Sequence, residues 1–363
     1  MKVEVFPYLL HFKSPAGTSR GVYTERQVWY VKISSEGSPE SRVGWGECAP
    51  LPDLSCDAGP DYEKILRSFC ARLEAEGTID YEAMRPYPSM LFGLETALQH
   101  YRSGSLELWP SQFTKGQAGI PINGLIWMGD RETMHSRIEA KMAAGFRCIK
   151  LKIGAINFDD ELALLKLIRS HFTSSEVELR VDANGAFAPS EASAKLSVLA
   201  SLGLHSIEQP IRAGQWDKMA ELCASTPLPI ALDEELIGVN RLSDKALLLD
   251  TIKPQYIILK PSLHGGIKGA TEWINLARER GIGWWITSAL ESNVGLNAIA
   301  QWTAHLHESL EPCGSDEGSK MAGSYQNMLP QGLGTGLLFT DNIDYPLAIR
   351  RDCLWYNNES SQI

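Results

Sequence analysis

The chain lacks the marks of a secreted, membrane-bound or nucleic-acid-binding protein. Its seven cysteines, at 48, 56, 70, 148, 223, 313 and 353, are odd in number, scattered, and form no Cys-x-x-Cys pair. Neither Cys48 nor Cys56 has a histidine at zinc-ligand spacing. This argues against a disulfide framework or structural zinc and for a reducing compartment. No apolar run reaches the ~20 residues that span a bilayer. The first residues, Met1-Lys2-Val3-Glu4-Val5-Phe6, alternate like a strand and carry no signal-peptide core or cleavage site. Positive charge is in deficit, 34 Lys and Arg against 44 Asp and Glu for a net −10. Such a balance gives no electrostatic footprint for nucleic acid or an anionic membrane. The glycine run Gly332-Leu333-Gly334-Thr335-Gly336 lacks the Lys-Ser/Thr of a phosphate loop, and no helical pattern follows it. The expectation is a cytoplasmic protein that handles a small molecule.

What the chain does hold is core. With 363 residues, 44% of them hydrophobic and 21% charged, it has material for about two domains. Strand-like runs at 2–12, 27–33 and 42–48 precede helical patterns at 61–76 and 89–102, an α+β order. The polar stretch 14–21 and the turn-rich stretch 49–55 read as loops. From about residue 119 the pattern changes to short apolar strands alternating with amphipathic helices. Strands are predicted at 120–124, 148–153, 178–183, 205–208, 229–233, 256–260 and 283–288, with a weak eighth at 311–315. Gly145, Gly203 and Gly281 stand where helices should end. Seven or eight βα units in about 200 residues predict a closed parallel barrel rather than an open sheet. The alternation stops after about residue 325. The predicted division is 1–118, an α+β unit; 119–324, the barrel; and 325–363, a segment returning to the first unit.

Polar residues gather at the C-terminal ends of the predicted barrel strands, where such folds place their active sites. Lys150 and Lys152 share one face of a strand. As two ammonium groups on a buried face they would repel and lose hydration, and both effects lower a lysine pKa. Asp182, Glu208, Asp233 and Lys260 follow at steps of 30, 26, 25 and 27 residues, each about one βα unit. Three carboxylates at one level of a barrel mouth need a cation to neutralise them. Oxygen ligands of this kind suit Mg²⁺, with Mn²⁺ as the alternative. Lys152 and Lys260 then flank the metal from opposite sides. That arrangement suits removal of the weakly acidic hydrogen beside a substrate carboxylate, with the resulting charge met where it develops. Each acid alone would read as a loop carboxylate or helix cap.

These residues resemble the enolase superfamily, which uses a Lys or His base with Mg²⁺. Lys-x-Lys on the second barrel strand with a lysine on the sixth is similar to its muconate-lactonising-enzyme subgroup. Three further stretches resemble the o-succinylbenzoate synthase family of menaquinone biosynthesis: Gly44-Trp45-Gly46-Glu47-Cys48-Ala49-Pro50-Leu51-Pro52, Leu259-Lys260-Pro261-Ser262-Leu263, and Thr287 through Gly295. The resemblance implies a modified TIM-type (β/α)7β barrel, an α/β fold, with an α+β capping domain built from both termini. Its loops 14–21 and 49–55 would close over the barrel. It implies Asp182, Glu208 and Asp233 as ligands of Mg²⁺. Lys152 would be the base and then the acid for the departing hydroxyl. Lys260 would stabilise the enediolate, and Lys150 would orient Lys152 and lower its pKa. The implied reaction dehydrates 2-succinyl-6-hydroxy-2,4-cyclohexadiene-1-carboxylate to 2-succinylbenzoate, so the partner is a small-molecule carboxylate.

Asn184 and Arg180 share the inward parity of Asp182 and are candidate substrate contacts or supports. Ser288 is a candidate contact for a substrate carboxylate. Glu291 reads equally well as an acid at a helix N-terminus. His264 reads as a loop residue that supplies no base. The same two lysines would suit an N-acylamino acid racemase or a dipeptide epimerase. Dipeptide epimerases of the subgroup carry an Asp-x-Asp near the eighth strand, and Cys313-Gly314-Ser315-Asp316-Glu317 does not provide one. A non-catalytic barrel that binds a metal carboxylate is the alternative of another class.

Overall fold

The computed structural model describes residues 1–18, 21–35, 42–127, 129–310, 325 and 328–357. It opens with a three-stranded antiparallel sheet: β1 (Lys2–Thr18), β2 (Gly21–Ser34) and β3 (Val43–Cys48), in that order. Helices α1 (Tyr62–Glu76), α2 (Tyr81–Met84) and α3 (Pro88–Ser103) follow. The apolar residues of β1–β3 alternate, so one face of the sheet buries Val5, Val31 and Ile33 against Leu66, Leu73 and Leu94 of α1 and α3. Within the stretch 14–21, expected to be a loop, the described residues 14–18 and 21 belong to the β1–β2 hairpin instead. Pairing skips between His11 and Ala16 and resumes at Ala16↔Tyr23, so a bulge at the Ser14-Pro15 break re-aims the strand without ending it.

Next come β4 (Ile120–Pro121), β5 (Gly124–Ile126), α4 (Arg131–Ala143), β6 (Cys148–Lys152), α5 (Phe158–His171), β7 (Glu178–Asp182) and α6 (Pro189–Ala200). They continue with β8 (Ser206–Glu208), α7 (Trp216–Ser225), β9 (Ile230–Leu232), α8 (Leu242–Ile252), β10 (Tyr256–Leu259), α9 (Gly266–Glu279), β11 (Gly283–Ile286) and α10 (Asn293–Leu310). Strands β5 to β11 form one parallel sheet in chain order. Apolar strand residues such as Ile149, Val181, Ile207 and Ile257 pack on helical Leu165, Leu196, Leu249 and Trp273, which places the main core between barrel and helices.

A second expectation shifts. The run at 120–124 does not form one barrel strand. Ile120 and Pro121 pair antiparallel with the C-terminal hairpin of β12 (Leu347–Arg350) and β13 (Cys353–Tyr356), and the barrel strand proper begins at Gly124. Proline has no N–H for an interior ladder, so the chain changes sheets there. The weak strand at 311–315 lies outside the described residues. The seam between β5 and β11 is spanned by Gln331 and Gly332. Gln331 N donates to Pro121 O at 2.8 Å and Asn123 N to Gln331 O at 3.0 Å; Gly332 N donates to Ile286 O at 2.8 Å and Ser288 N to Gly332 O at 3.0 Å. Gly332 must be glycine, because a Cβ there would stand 2.5 Å from the Thr287 side chain. The segment beyond it crosses to the first sheet, with Lys13 N donating to Leu338 O at 2.8 Å and Thr340 N to His11 O at 2.9 Å.

Candidate active site

Register sets the levels of the key residues. Lys152 pairs with Asp182 and Asp182 with Glu208. Glu208 pairs with Ala231, and Ala231 with Tyr256. Asp233 and Lys260 therefore stand two and four residues beyond that rung, the stagger a tilted barrel requires. The strand bearing the lysines ends at Lys152 and the chain turns at Gly154, where φ is +91° and a Cβ would meet that of Ala186 at 2.4 Å. The buried Glu161 of α5 fixes the turn after it by accepting from Gly154 N at 2.6 Å and Ala155 N at 3.2 Å.

The structure brings Lys150, Lys152, Asp182, Glu208, Asp233 and Lys260 into one network. Lys150 Nζ contacts Asp182 Oδ2 at 3.0 Å and also Glu208 Oε2. Lys152 Nζ donates to Asp182 Oδ2 at 3.2 Å and to Asn184 Oδ1 at 2.8 Å. Lys260 Nζ is paired with Asp233 Oδ2. Lys150, Lys152, Asp182, Asn184, Lys260 and Ser288 line a single cleft, with Leu51, Leu54, Leu125, Trp127, Leu263 and Leu290 as apolar walls and Tyr23 from the hairpin arm. Arg180 lies below it. Its guanidinium stacks 4.2 Å from the Trp285 ring and donates to Pro330 O at 2.8 Å and Glu178 Oε1 at 2.6 Å.

Charge states follow from these contacts. Burial pulls the Lys150 and Lys260 ammoniums down, but the neighbouring carboxylates more than offset it and hold both above the ordinary lysine value. The expected mutual repulsion of the strand's lysines therefore does not govern Lys150, because acids separate it from like charge. Burial raises Asp182, but Lys150 and Lys152 pull it well below the usual carboxylate range. Asp233 is likewise lowered, with Lys260 outweighing burial. Glu208 goes the other way, driven up by burial and by the charge of Asp182.

Glu234 belongs to the site and was not singled out from sequence. It lines the cleft, accepts from Asn184 Nδ2 at 2.9 Å, and is pushed up to about 7 by burial and by Asp233. Asn184 thus bridges Lys152 to Glu234 from a backbone with φ of +43°, a strained conformation that the surrounding bonds hold in place. Gln209, next to Glu208 in the chain, accepts from Asp233 N at 3.2 Å and donates to Glu235 Oε2 at 3.0 Å. The signal for both was position alone, one residue past a strand-end acid. His264 accepts from Lys260 N at 2.9 Å through Nδ1, and burial keeps it neutral, lowered to about 3.

Among the described residues, no three His, Cys, Asp or Glu side chains converge as a ready metal cage. The ammonium groups are the counter-ions here. Yet Glu208 Oε1, Asp233 Oδ1 and Glu234 Oε2 are buried with no hydrogen-bond partner. Buried anionic oxygens without donors are costly. An all-oxygen set with unused lone pairs fits a hard divalent cation.

Residues 1–101 match the MenC N-terminal domain, and residues 133–330 match the family described as Enolase C-terminal domain-like. The chain is 47% identical to an o-succinylbenzoate synthase of Desulfotalea psychrophila, over 94% of this chain and 95% of that one. The chain belongs to the o-succinylbenzoate synthase family of the enolase superfamily. The crystal structure of MenC from Desulfotalea psychrophila superposes on it with a TM-score of 0.78 at 42% identity, covering 98% of this chain and 99% of that one. A muconate lactonizing enzyme from Pseudomonas putida superposes with a TM-score of 0.74 at 19% identity, covering 98% and 93%, and shows the shared fold. A hydrophobic dipeptide epimerase of Roseobacter litoralis is 27% identical over 83% of this chain and 86% of its own. The family and fold expected from the lysine and carboxylate motifs are those found, an α/β barrel with separate antiparallel sheets. Enolase-superfamily members use a divalent metal.

Proposed function

We propose that the chain is a working o-succinylbenzoate synthase that removes water from 2-succinyl-6-hydroxy-2,4-cyclohexadiene-1-carboxylate. The observation that carries this reading is the pair Lys152 and Lys260. Both ammonium groups line one cleft, held from different strands by different buried carboxylates, Asp182 and Asp233. Lys152, in neutral form, takes the proton beside the ring carboxylate. As an ammonium it then gives a proton to the departing hydroxyl, so one residue serves both half-steps. Lys260 meets the negative charge that develops on the carboxylate oxygens. Lys150 and Asn184 fix the position of Lys152 through Asp182 and by direct contact. Loss of water completes an aromatic ring, which makes the second half-step favourable.

Asp182, Glu208 and Asp233 would hold Mg²⁺. When bound it would supply fixed positive charge beside the substrate carboxylate and make a nearby ammonium easier to deprotonate. We read residues 1–118 and 325–363 as the capping domain that closes this cleft and 119–324 as the catalytic domain. The cleft residues Tyr23, Leu51 and Leu54, contributed by the first segment, support that division. The product would serve menaquinone biosynthesis.

The test is turnover of the cyclohexadiene substrate against a panel of dipeptides and N-acylamino acids with Mg²⁺ present. Formation of 2-succinylbenzoate well above any epimerisation is expected. Epimerisation of a dipeptide or racemisation of an N-acylamino acid with no dehydration would overturn the reading.

A further inference from the structure

The cleft has two unlike sides. Its charged lining residues, Lys150, Lys152, Asp182, Glu234 and Lys260, all belong to the β6–β10 side of the barrel. The side formed by the β5–β11 seam is neutral: Asn123, Thr287, Ser288, Gly332, Gly334 and Thr335. Circular strand order puts that seam across the barrel from Asp182 and Glu208.

Thr335 arrives with the segment that closes the barrel. Its Oγ1 lies 2.6 Å from Ser288 Oγ, and both residues are buried. Ser288 Oγ also accepts from Leu290 N at 3.2 Å. Leu290 sits at φ +66°, a turn that an apolar β-carbon residue adopts only under constraint. The two hydroxyls carry two protons. One is spent between their oxygens, and the other is left to point at whatever fills the cleft. Beside them, Thr287 Oγ1 is buried without a partner.

We propose that Thr335, paired with Ser288, is a specificity-determining residue that grips the distal carboxylate of the substrate. The proposal rests on the dehydration reading, in which the substrate carries two carboxylates. The ring carboxylate must lie on the charged side, next to the base. The carboxylate at the end of the succinyl chain is then directed to the opposite side, where a hydroxyl proton awaits an acceptor. The same geometry disfavours a free amine there. Among the described residues, the carboxylates lining the cleft are Asp182 and Glu234, and both are on the other side.

The test compares binding of 2-succinylbenzoate with 2-butanoylbenzoate, which has a methyl group in place of the distal carboxylate. Titration calorimetry on the Mg²⁺-loaded protein gives the ratio of the two Kd values. Thr335→Val keeps the shape and removes the hydroxyl; it should lower the ratio in favour of 2-succinylbenzoate by about tenfold, the scale of one hydrogen bond to a charged group. Thr335→Ser should restore most of it, and Ser288→Ala, which removes the other oxygen of the pair, should reproduce the loss. Equal weakening of both probes, or a wild type that does not distinguish them, overturns the proposal and leaves the dehydration reading standing. A wild type that binds neither probe overturns both.

Discussion

On the proposed dehydration reading Lys152 is the side chain on which the chemistry turns, and its neighbours decide how cleanly that can be tested. It shares Asp182 with Lys150, so removing it leaves the acid still paired at 3.0 Å. Lys152→Ala should therefore leave a folded, metal-binding protein with dehydration slowed about 10³-fold or more, the scale of a lost general base. Calorimetric Mg²⁺ binding and turnover together check this, and a variant near the wild-type rate would remove Lys152 from the mechanism. A second prediction concerns pH and Asp57. It is buried, accepts from Ser89 N at 2.8 Å and from Ser89 Oγ at 2.6 Å at the start of α3, and anchors the loop that carries Leu51 and Leu54. Burial raises it from 3.8 to about 6, against the pull of those donors. Between about pH 4 and 6 the folded state then holds a proton that the unfolded state has lost. Its contribution to stability is greatest below pH 4 and declines as pH rises through 6, by about 3 kcal/mol in all. Asp57→Asn should flatten the urea-midpoint profile in that window. An unaltered slope would mean the carboxyl titrates normally.

At the scale of elements, the first sheet and its helices are tied to the barrel through helix N-termini. Glu47, at the end of β3, accepts from Ser292 N at 2.9 Å, Ser292 Oγ at 2.5 Å and Gly295 N at 2.9 Å, which caps α10. Glu95 of α3 accepts from Ile267 N at 2.5 Å and Lys268 N at 3.0 Å, which caps α9. These helices follow Lys260 and Ser288, so the same contacts hold the strand-end loops of the cleft. Glu47→Ala would leave three buried donors without an acceptor. A loss of about 2–4 kcal/mol in urea unfolding is expected, with a smaller loss for Glu47→Gln, which keeps one acceptor. Equal effects of the two would show that Glu47 acts by packing alone. These ties also mark what was legible in the chain. The βα alternation, the lysine strand and the strand-end acids could be read because each obeys a local period. The split of β4 from β5 could not, because Ile120 is claimed by Leu354, more than 200 positions away. Nor could closure by Gln331 and Gly332, whose two-residue bridge has no strand pattern. Glu234 and Gln209 went without roles because only the folded turn shows which strand-end polar side chain faces the cleft and which braces it.

Across the whole molecule, the decisive imbalance is one of buried charge. Four carboxylates, Asp182, Glu208, Asp233 and Glu234, face three ammonium groups, and two of the acids are driven upward, first by burial and then by the charge of a neighbouring acid. Burial and like charge thus favour the protonated forms of Glu208 and Glu234, while the carboxylates hold Lys150 and Lys260 charged. A divalent cation held by Asp182, Glu208 and Asp233 would change the balance by more than the one unit missing, and would so allow all four acids to ionise and one lysine to become neutral. Metal binding and activation of the base are on this account one event, and both should be visible in stability as well as in rate. With Mg²⁺ at 100 times its Kd, linkage adds about 2.7 kcal/mol to the folded state, a rise of about 3–4 °C in Tm for a chain of this size. Asp233→Asn should abolish most of that rise. Exhaustive chelation should abolish dehydration, and Mg²⁺ should restore it. Full turnover in chelator would sink the metal assignment even if Tm still responded to Mg²⁺, because the lysines would then be working against the carboxylates alone.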